Sequence, residues 1–504
     1  MAEAPDVEAN RAAPCVIGRG PLSISDILAL AQGHRAPILD REPSYRARLR
    51  SSRERLEKAV ATGAPVYGVT TGVGASVGIL IRRILDEEAA AAIVAVRLVT
   101  LARGYSGVRE VVLERLCSLL EHRLLPRFPE EGSVGASGDL TPLSYLAAAL
   151  AGEREVTLHG RVLPAADALT EVGLEPLTLE IKESLSLMNG TSGMTGLAVL
   201  AFTRASHAAR LAAAITAILV EVTHGNRKHF ERRLFELKPH PGQTVAARWI
   251  REGIEYEEGA PTAPPARLQD RYSIRCAPHV IGVLVDALRQ AQETLEIEIN
   301  GVDDNPIIDV ENEEIFHGGH FYGGHVCFAM DGLKNATANV ADLLDRQLVL
   351  LCAPDQSDGL PANLVAPTPD AGAESVTHHG FKAMQISSSA LTAEALKLAI
   401  PASLFSRSTE SHNQDKVSMG MIAARDCLRI LELTETVAVI GLLAACQAVD
   451  LRGDEPLSQP IRSLHAAVRE IAPMLSHDRR QDLDIERVLA AYRAGSLPIG
   501  DADV

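Results

Sequence analysis

The sequence predicts a mainly α protein built as an extended bundle of long helices, and two observations carry that expectation. Five stretches rich in Ala and Leu keep helical periodicity with few breakers: Met194 to Val222, Val280 to Ile299, Met330 to Leu351, Phe381 to Ile400 and Met419 to Val449. Strand-like material is sparse, and Glu155 to Leu158 with Val162 to Leu163 flank His159-Gly160 as a small hairpin. Segments of roughly 20 to 30 residues exceed the ordinary globular helix and imply a coiled coil or a bundle that spans subunits. No strict heptad is present, which favours the bundle.

The N-terminal third has a different texture, with glycine-dense loops at Tyr67 to Gly78 and Gly132 to Gly138. Loops carry chemistry more often than helices do. The Pro-rich segment Gly259 to Ala266 reads as a crossing between helices.

The 504 residues hold 49 Lys and Arg against 65 Asp and Glu, a formal charge of −16. Phosphate backbones and anionic lipid surfaces repel such a chain, so neither nucleic acid nor membrane is an expected partner. The longest strongly apolar run, Val437 to Cys446, is too short to span a bilayer, and the acidic start has no apolar core of signal-peptide length. The seven cysteines are scattered, with no C-x-x-C pair. A soluble, cytoplasmic protein is the expectation.

Two loops invite chemical readings. In Tyr67-Gly68-Val69-Thr70-Thr71-Gly72-Val73-Gly74 the glycine spacing departs from the dinucleotide fingerprint. A plain surface loop explains the glycines but not the tyrosine, whose phenol becomes a base once positive charge or hydrogen-bond donors lower its pKa. In Gly132-Ser133-Val134-Gly135-Ala136-Ser137-Gly138-Asp139-Leu140 the nucleophile-elbow pattern fails, because Asp139 stands where glycine is needed. His317, His320 and His325 sit at spacings across glycines that fit no zinc pattern, so no metal is expected.

The strings YGVTTGVG, LARGYSGVR, GSVGASGDLTPLSYLAAALAGE, GLEPLTLEIKESLSLMNGTS, QDRYSIRC, DDNPIID, HGGHF, GLPANLV and HNQDKVSMG occur in order along nearly the whole chain. Together they resemble the aromatic amino acid ammonia-lyase family, which comprises histidine, phenylalanine and tyrosine ammonia-lyases and related aminomutases. The resemblance implies a long-helix bundle of the fumarase/aspartase type. It divides the chain into an N-terminal domain, 1–190, carrying the tyrosine loop and a cyclised Ala-Ser-Gly loop, and a central and C-terminal bundle, 191–504, forming the core of a homotetramer with shared active sites.

It also implies an electrophile made from the backbone. The nitrogen of Gly138 closes on the carbonyl of Ala136 and two waters leave, giving 4-methylideneimidazol-5-one from Ala136, Ser137 and Gly138, with no external cofactor. The logic is physically sound: glycine alone is small enough for that closure, serine dehydrates to the exocyclic methylene, and no ordinary side chain is an electrophile. By the same resemblance Tyr67 is the base for the β-proton and Tyr272 a second tyrosine beside the electrophile. Arg275 grips the substrate carboxylate with a two-pronged guanidinium. Asn189 hydrogen-bonds the ring oxygen or the substrate, Phe321 packs beside the ring, and Asn305 is a further candidate in a turn before proline.

In Glu410-Ser411-His412-Asn413-Gln414-Asp415 the resembling histidine lyases carry glutamate at Gln414, whereas phenylalanine and tyrosine lyases carry the amide. An imidazole profits from a carboxylate and an aryl ring does not. Tyrosine or phenylalanine is therefore expected over histidine, with Glu410 and Gln414 near the amine or ring and a trans-cinnamate-type acid as product. An aromatic 2,3-aminomutase, making a β-amino acid, shares these motifs. The chain departs from the pattern in placing only 27 residues between Gly74 and Ala102, in Val73 and in His320. The short segment motivates a catalytically silent homologue, acting as a scaffold or binding subunit, as the alternative.

Overall fold

The computed structural model describes residues 13–61, 83–257, 264–367 and 377–502. The chain begins with β1 (Cys15–Ile17), α1 (Ile24–Ala31), β2 (Pro37–Leu39), α2 (Pro43–Ala61), α3 (Glu87–Ala102) and α4 (Glu110–Glu121). It continues with β3 (Leu124–Pro126), α5 (Leu140–Leu150), β4 (Glu155–Leu158), β5 (Arg161–Pro164), α6 (Ala165–Glu171), α7 (Glu183–Met188) and α8 (Ser192–Val222). After α9 (Arg232–Glu236), α10 (Pro241–Gly253), α11 (Tyr272–Arg275) and α12 (Ala277–Asn300) come β6 (Ile307–Asp309) and β7 (Glu314–Phe316). Helices α13 (Gly324–Cys352), α14 (Lys382–Leu398), α15 (Gly420–Arg452), α16 (Gln459–Ile471) and α17 (Asp482–Arg493) complete the order.

The fold is mainly α, and all five predicted long helices are present as α8, α12, α13, α14 and α15. The predicted hairpin is β4–β5, paired from Glu155↔Pro164 to Leu158↔Arg161. His159 and Gly160 both take positive φ, as a tight two-residue turn requires. Most of the Pro-rich crossing at 259–266 lies outside the described residues.

Two compact units emerge, and they differ from the division expected at residue 190. The first combines Met1–Ala201 with Ala291–Asp331 and Pro401–Arg425, and the second takes Phe202–Gln290, Gly332–Ile400 and Asp426–Val504. A single cut fails because the chain passes between units inside α8, α12, α13 and α15.

In the first unit, α1 starts at a capping box, Ser23 and Asp26 each accepting the other's backbone N–H. Asp86 caps α3 by accepting the Ala89 N–H at 2.8 Å. Every residue of α3 from Ala89 to Ala102 is buried, the mark of a helix enclosed on all sides. Its small residues let α8 approach so closely that a β-carbon on Gly196 would lie 2.7 Å from the Ile93 nitrogen. In the second unit, Ala338, Ala395, Ile430 and Leu433 bring α13, α14 and α15 into one core cluster. Buried Glu435 accepts Arg204 from α8 at 2.8 Å and Arg493 from α17 at 2.6 Å.

Helix α8 corrects one expectation. Among the described residues it alone is long and apolar enough to cross a membrane, yet 78% of its most apolar stretch is buried inside the protein. Its apolarity answers to protein packing on all sides.

Candidate active site

The first unit carries the triad loop. Ser137 (φ 51°) and Gly138 (φ 73°) are both left-handed, so the chain doubles back just before α5. Gly190 clamps the loop: the Asp139 N–H donates to the Gly190 carbonyl at 2.7 Å, and the Gly190 N–H donates to the Ser137 carbonyl at 3.2 Å. A β-carbon on Gly138 would fall 2.1 Å from the Gly190 oxygen, so glycine is demanded by packing as well as by φ.

Asp139 holds the loop from below. Its buried carboxylate accepts the Ser133 hydroxyl at 2.9 Å and the Met194 N–H at 2.5 Å. Burial pushes its pKa up to about 7; the field of Asp303 adds to that, and the hydrogen bonds from Met194 and Ser133 oppose it. Glu298 is similar, raised to about 7 chiefly by burial and accepting the Thr191 hydroxyl at 2.6 Å.

Beneath this loop lies an ionic floor that the sequence motifs did not reveal. Arg97, fully buried on α3, pairs with Asp303 at 2.8 Å and donates to the carbonyls of Ser186 and Asn189, at 3.0 and 2.8 Å. Buried Lys182 pairs with Asp304. Burial raises the Asp304 carboxyl, but Lys182, Arg97 and Asn189 together hold it below the usual range, whereas burial lowers the Lys182 ammonium. The available signals were a lone arginine in an alanine-rich helix and the paired aspartates preceding Asn305.

Several predicted residues gather here. Asn189 donates to the Asp304 carboxylate and the Asn305 carbonyl, each at 3.1 Å. Asn305 does more than shape a turn: its side-chain oxygen accepts the Gly318 N–H at 2.9 Å, tethering the loop that leads to half-buried Phe321. Gln414 donates from Nε2 to the Ser137 hydroxyl at 2.9 Å, while its oxygen accepts the Thr409 hydroxyl at 3.1 Å. Exposed Glu410 accepts from Asn413 at 3.1 Å. Glu410, Ser411 and His412 are consecutively left-handed, and backbone strain of that kind concentrates at functional sites.

Other predicted residues lie elsewhere. Tyr67 falls outside the described residues. Tyr272 and Arg275 belong to the second unit, on α11, with the guanidinium 4.8 Å from the phenol ring centroid, a cation–π contact. Tyr272 is 70% exposed, which opposes a buried structural role. Among the described residues no group of three His, Cys, Asp or Glu side chains is arranged to hold a metal.

Known proteins give this geometry a context. The sequence profile of the aromatic amino acid lyases matches residues 22–84 and 77–470. A histidine ammonia-lyase of Geobacillus thermodenitrificans is 38% identical, covering 92% of this chain and 95% of its own. A tyrosine ammonia-lyase of Cupriavidus metallidurans is 36% identical, covering 96% of this chain and 97% of its own. An MIO-dependent tyrosine 2,3-aminomutase of Streptomyces globisporus is 37% identical over 90% of both chains. The crystal structure of the tyrosine aminomutase from that organism matches with a TM-score of 0.87 and 35% identity, over 96% of this chain and 97% of that one.

Proposed function

We infer the reaction from one premise: the chain belongs to the aromatic amino acid lyase family and is a carbon–nitrogen lyase. Its chemistry is that of the aromatic ammonia-lyases and aminomutases. We propose that it eliminates ammonia from tyrosine or phenylalanine in preference to histidine, giving a trans-cinnamate-type acid. The observation that carries this reading is the Gln414 amide on the Ser137 hydroxyl at 2.9 Å: an uncharged donor, not a carboxylate, faces the triad.

The residues present fit a self-formed 4-methylideneimidazol-5-one. Ser137 and Gly138 are already folded back in left-handed conformations, and the Gly138 position has no room for a side chain. When formed, the group supplies an electrophile for the substrate amine and so improves a poor leaving group. Arg275 holds the substrate carboxylate bidentately. Tyr67 removes the β-proton, Tyr272 is the second tyrosine beside the electrophile, and Glu410 and Gln414 border the amine or ring. Asn189 hydrogen-bonds the ring oxygen or the substrate, Phe321 packs beside the ring, and Asn305 is a further candidate. No external cofactor or metal enters the scheme.

A homotetramer with shared sites completes the proposal, in a cytoplasmic setting suited to free cysteines. Ile297, Phe328 and Leu404 in the first unit, and Val283 and Ile386 in the second, are large apolar side chains more than half exposed, as expected of helices awaiting partner copies.

Incubation with tyrosine, phenylalanine and histidine separately, followed by the ultraviolet absorbance of the conjugated acid, tests the preference. Faster turnover of histidine would overturn it. The Streptomyces relative favours a second reading, an aromatic 2,3-aminomutase, for which the main product retains nitrogen on the β-carbon. A protein of full mass, not lighter by two waters, would instead support the silent homologue.

A further inference from the structure

The turn bearing Tyr272 and Arg275 is short. Helix α11 is only four residues, too few to fix its own direction, so what orients it must come from outside. Within the second unit its flanks are tied down at several points. The Asp270 carboxylate, 8% exposed, accepts the Asn226 backbone N–H at 2.7 Å. The Asp270 N–H in turn donates to His229 Nε2 at 3.1 Å. Upstream, the Leu268 carbonyl accepts the Asn226 side-chain amide at 2.8 Å, and the Ala266 N–H reaches the His224 carbonyl at 3.0 Å. Inside the turn, buried Gln347 donates to the Ser273 carbonyl at 2.8 Å.

One of these contacts exists only in one protonation state. A backbone N–H only donates, so His229 Nε2 accepts through its lone pair, which requires a neutral ring. Protonation would set N–H against N–H and break the tie. The imidazolium would keep its attraction to the Asp270 carboxylate, 3.5 Å away, but that pull draws on the side chain and not on the amide.

We propose that His229, Asn226 and Asp270 are positioning residues that aim Tyr272 and Arg275 at the substrate, and that neutral His229 is the acceptor on which the aim depends. The inference rests on the substrate-facing reading of Tyr272 and Arg275. The surroundings keep the ring neutral: burial lowers its pKa, and of the nearby charges Arg275 lowers it further while Asp270 raises it. From α10, Arg251 donates to the Phe230 carbonyl beside the same segment at 2.8 Å. Acid should therefore weaken the carboxylate grip before it touches the chemistry.

The test uses the full-length enzyme and whichever of tyrosine, phenylalanine or histidine it turns over. His229→Phe, which deletes the acceptor, should raise KM about ten-fold at every pH with kcat within about two-fold of wild type. His229→Gln supplies an amide oxygen that accepts without titrating. It should restore a wild-type KM near pH 8 and remove the acid-side rise in KM. If His229→Phe does not fold, the His229→Gln profile decides alone: an acid limb unchanged from wild type overturns the proposal. Arg275→Ala separates the two layers. An unchanged KM there would sink the substrate-facing reading, whereas a raised KM with both His229 variants at wild-type KM across the pH range would sink only the positioning role.

Discussion

The two regions that carry site residues are built on opposite principles. The triad loop of the first unit is enclosed by buried charges, with Arg97 on Asp303 and Lys182 on Asp304. The Tyr272–Arg275 turn of the second unit presents its tyrosine to solvent and is held largely by hydrogen bonds, to Asn226 and His229 upstream and from Gln347 within it. Buried ion pairs add little net stability because desolvation offsets their attraction, but removing one partner strands a charge. They therefore suit a loop whose backbone must be kept in a strained shape. Hydrogen bonds to a short helix cost less and leave a surface element adjustable, which suits side chains that meet a ligand.

The largest expected effect breaks the first region's chemistry outright. Ser137→Ala should abolish turnover with the oligomer intact by size-exclusion chromatography, and the intact mass should show no loss of water. Retained activity would remove Ser137 from the electrophile. Tyr67→Phe should also abolish turnover but keep the dehydrated mass, and a modest rate loss would demote Tyr67 to positioning. Next comes a pair of deletions that compares the regions directly. Arg97→Met, which strands Asp303, should destabilise by about 3–5 kcal/mol in chemical denaturation. Asn226→Ala, which removes the side chain's two hydrogen bonds, to the Leu268 carbonyl and from the Lys228 N–H, should cost about 1–2 kcal/mol. Equal losses would erase the distinction drawn here.

A further effect concerns pH. Asp139 and Glu298 both have folded pKa values raised to about 7, so between their ordinary range near 4 and about 7 the folded state binds more protons than the unfolded. These two groups therefore make stability fall as pH rises through that window, with the stabilising contribution fully present only at its acid end. Glu298→Gln should flatten part of that slope in denaturation midpoints measured from pH 5 to 8. A slope identical to wild type would show that Glu298 keeps its charge.

Legibility in the sequence followed range. Periodicity exposed the long helices because each turn repeats within four residues, and the bounds differ mainly at the ends: Met330 to Leu351 was expected, whereas α13 runs from Gly324 to Cys352. The β4–β5 hairpin was legible because its turn is local. The floor was not, because Arg97, Ser186 and Asp303 meet only through tertiary folding. Asn305 looked like ordinary turn chemistry because its Gly318 partner lies thirteen residues on. Nor could the interleaved units be read from one linear boundary, since both are assembled from separate segments. Resemblance located Gln414 in a motif, and the structure set it against Ser137.

The contact between Gln414 and Ser137 also imposes a timetable. During synthesis the triad leaves the ribosome 277 residues ahead of the amide that caps its hydroxyl. Gly190 arrives early enough to clamp the loop, Asp303 follows to fasten the floor, and Gln414 comes later with Met419, whose N–H donates to the Val134 carbonyl at 2.9 Å. Chains ending before residue 414 would lack these contacts, so the enclosure around Ser137 is finished only after more than four-fifths of the chain has been made.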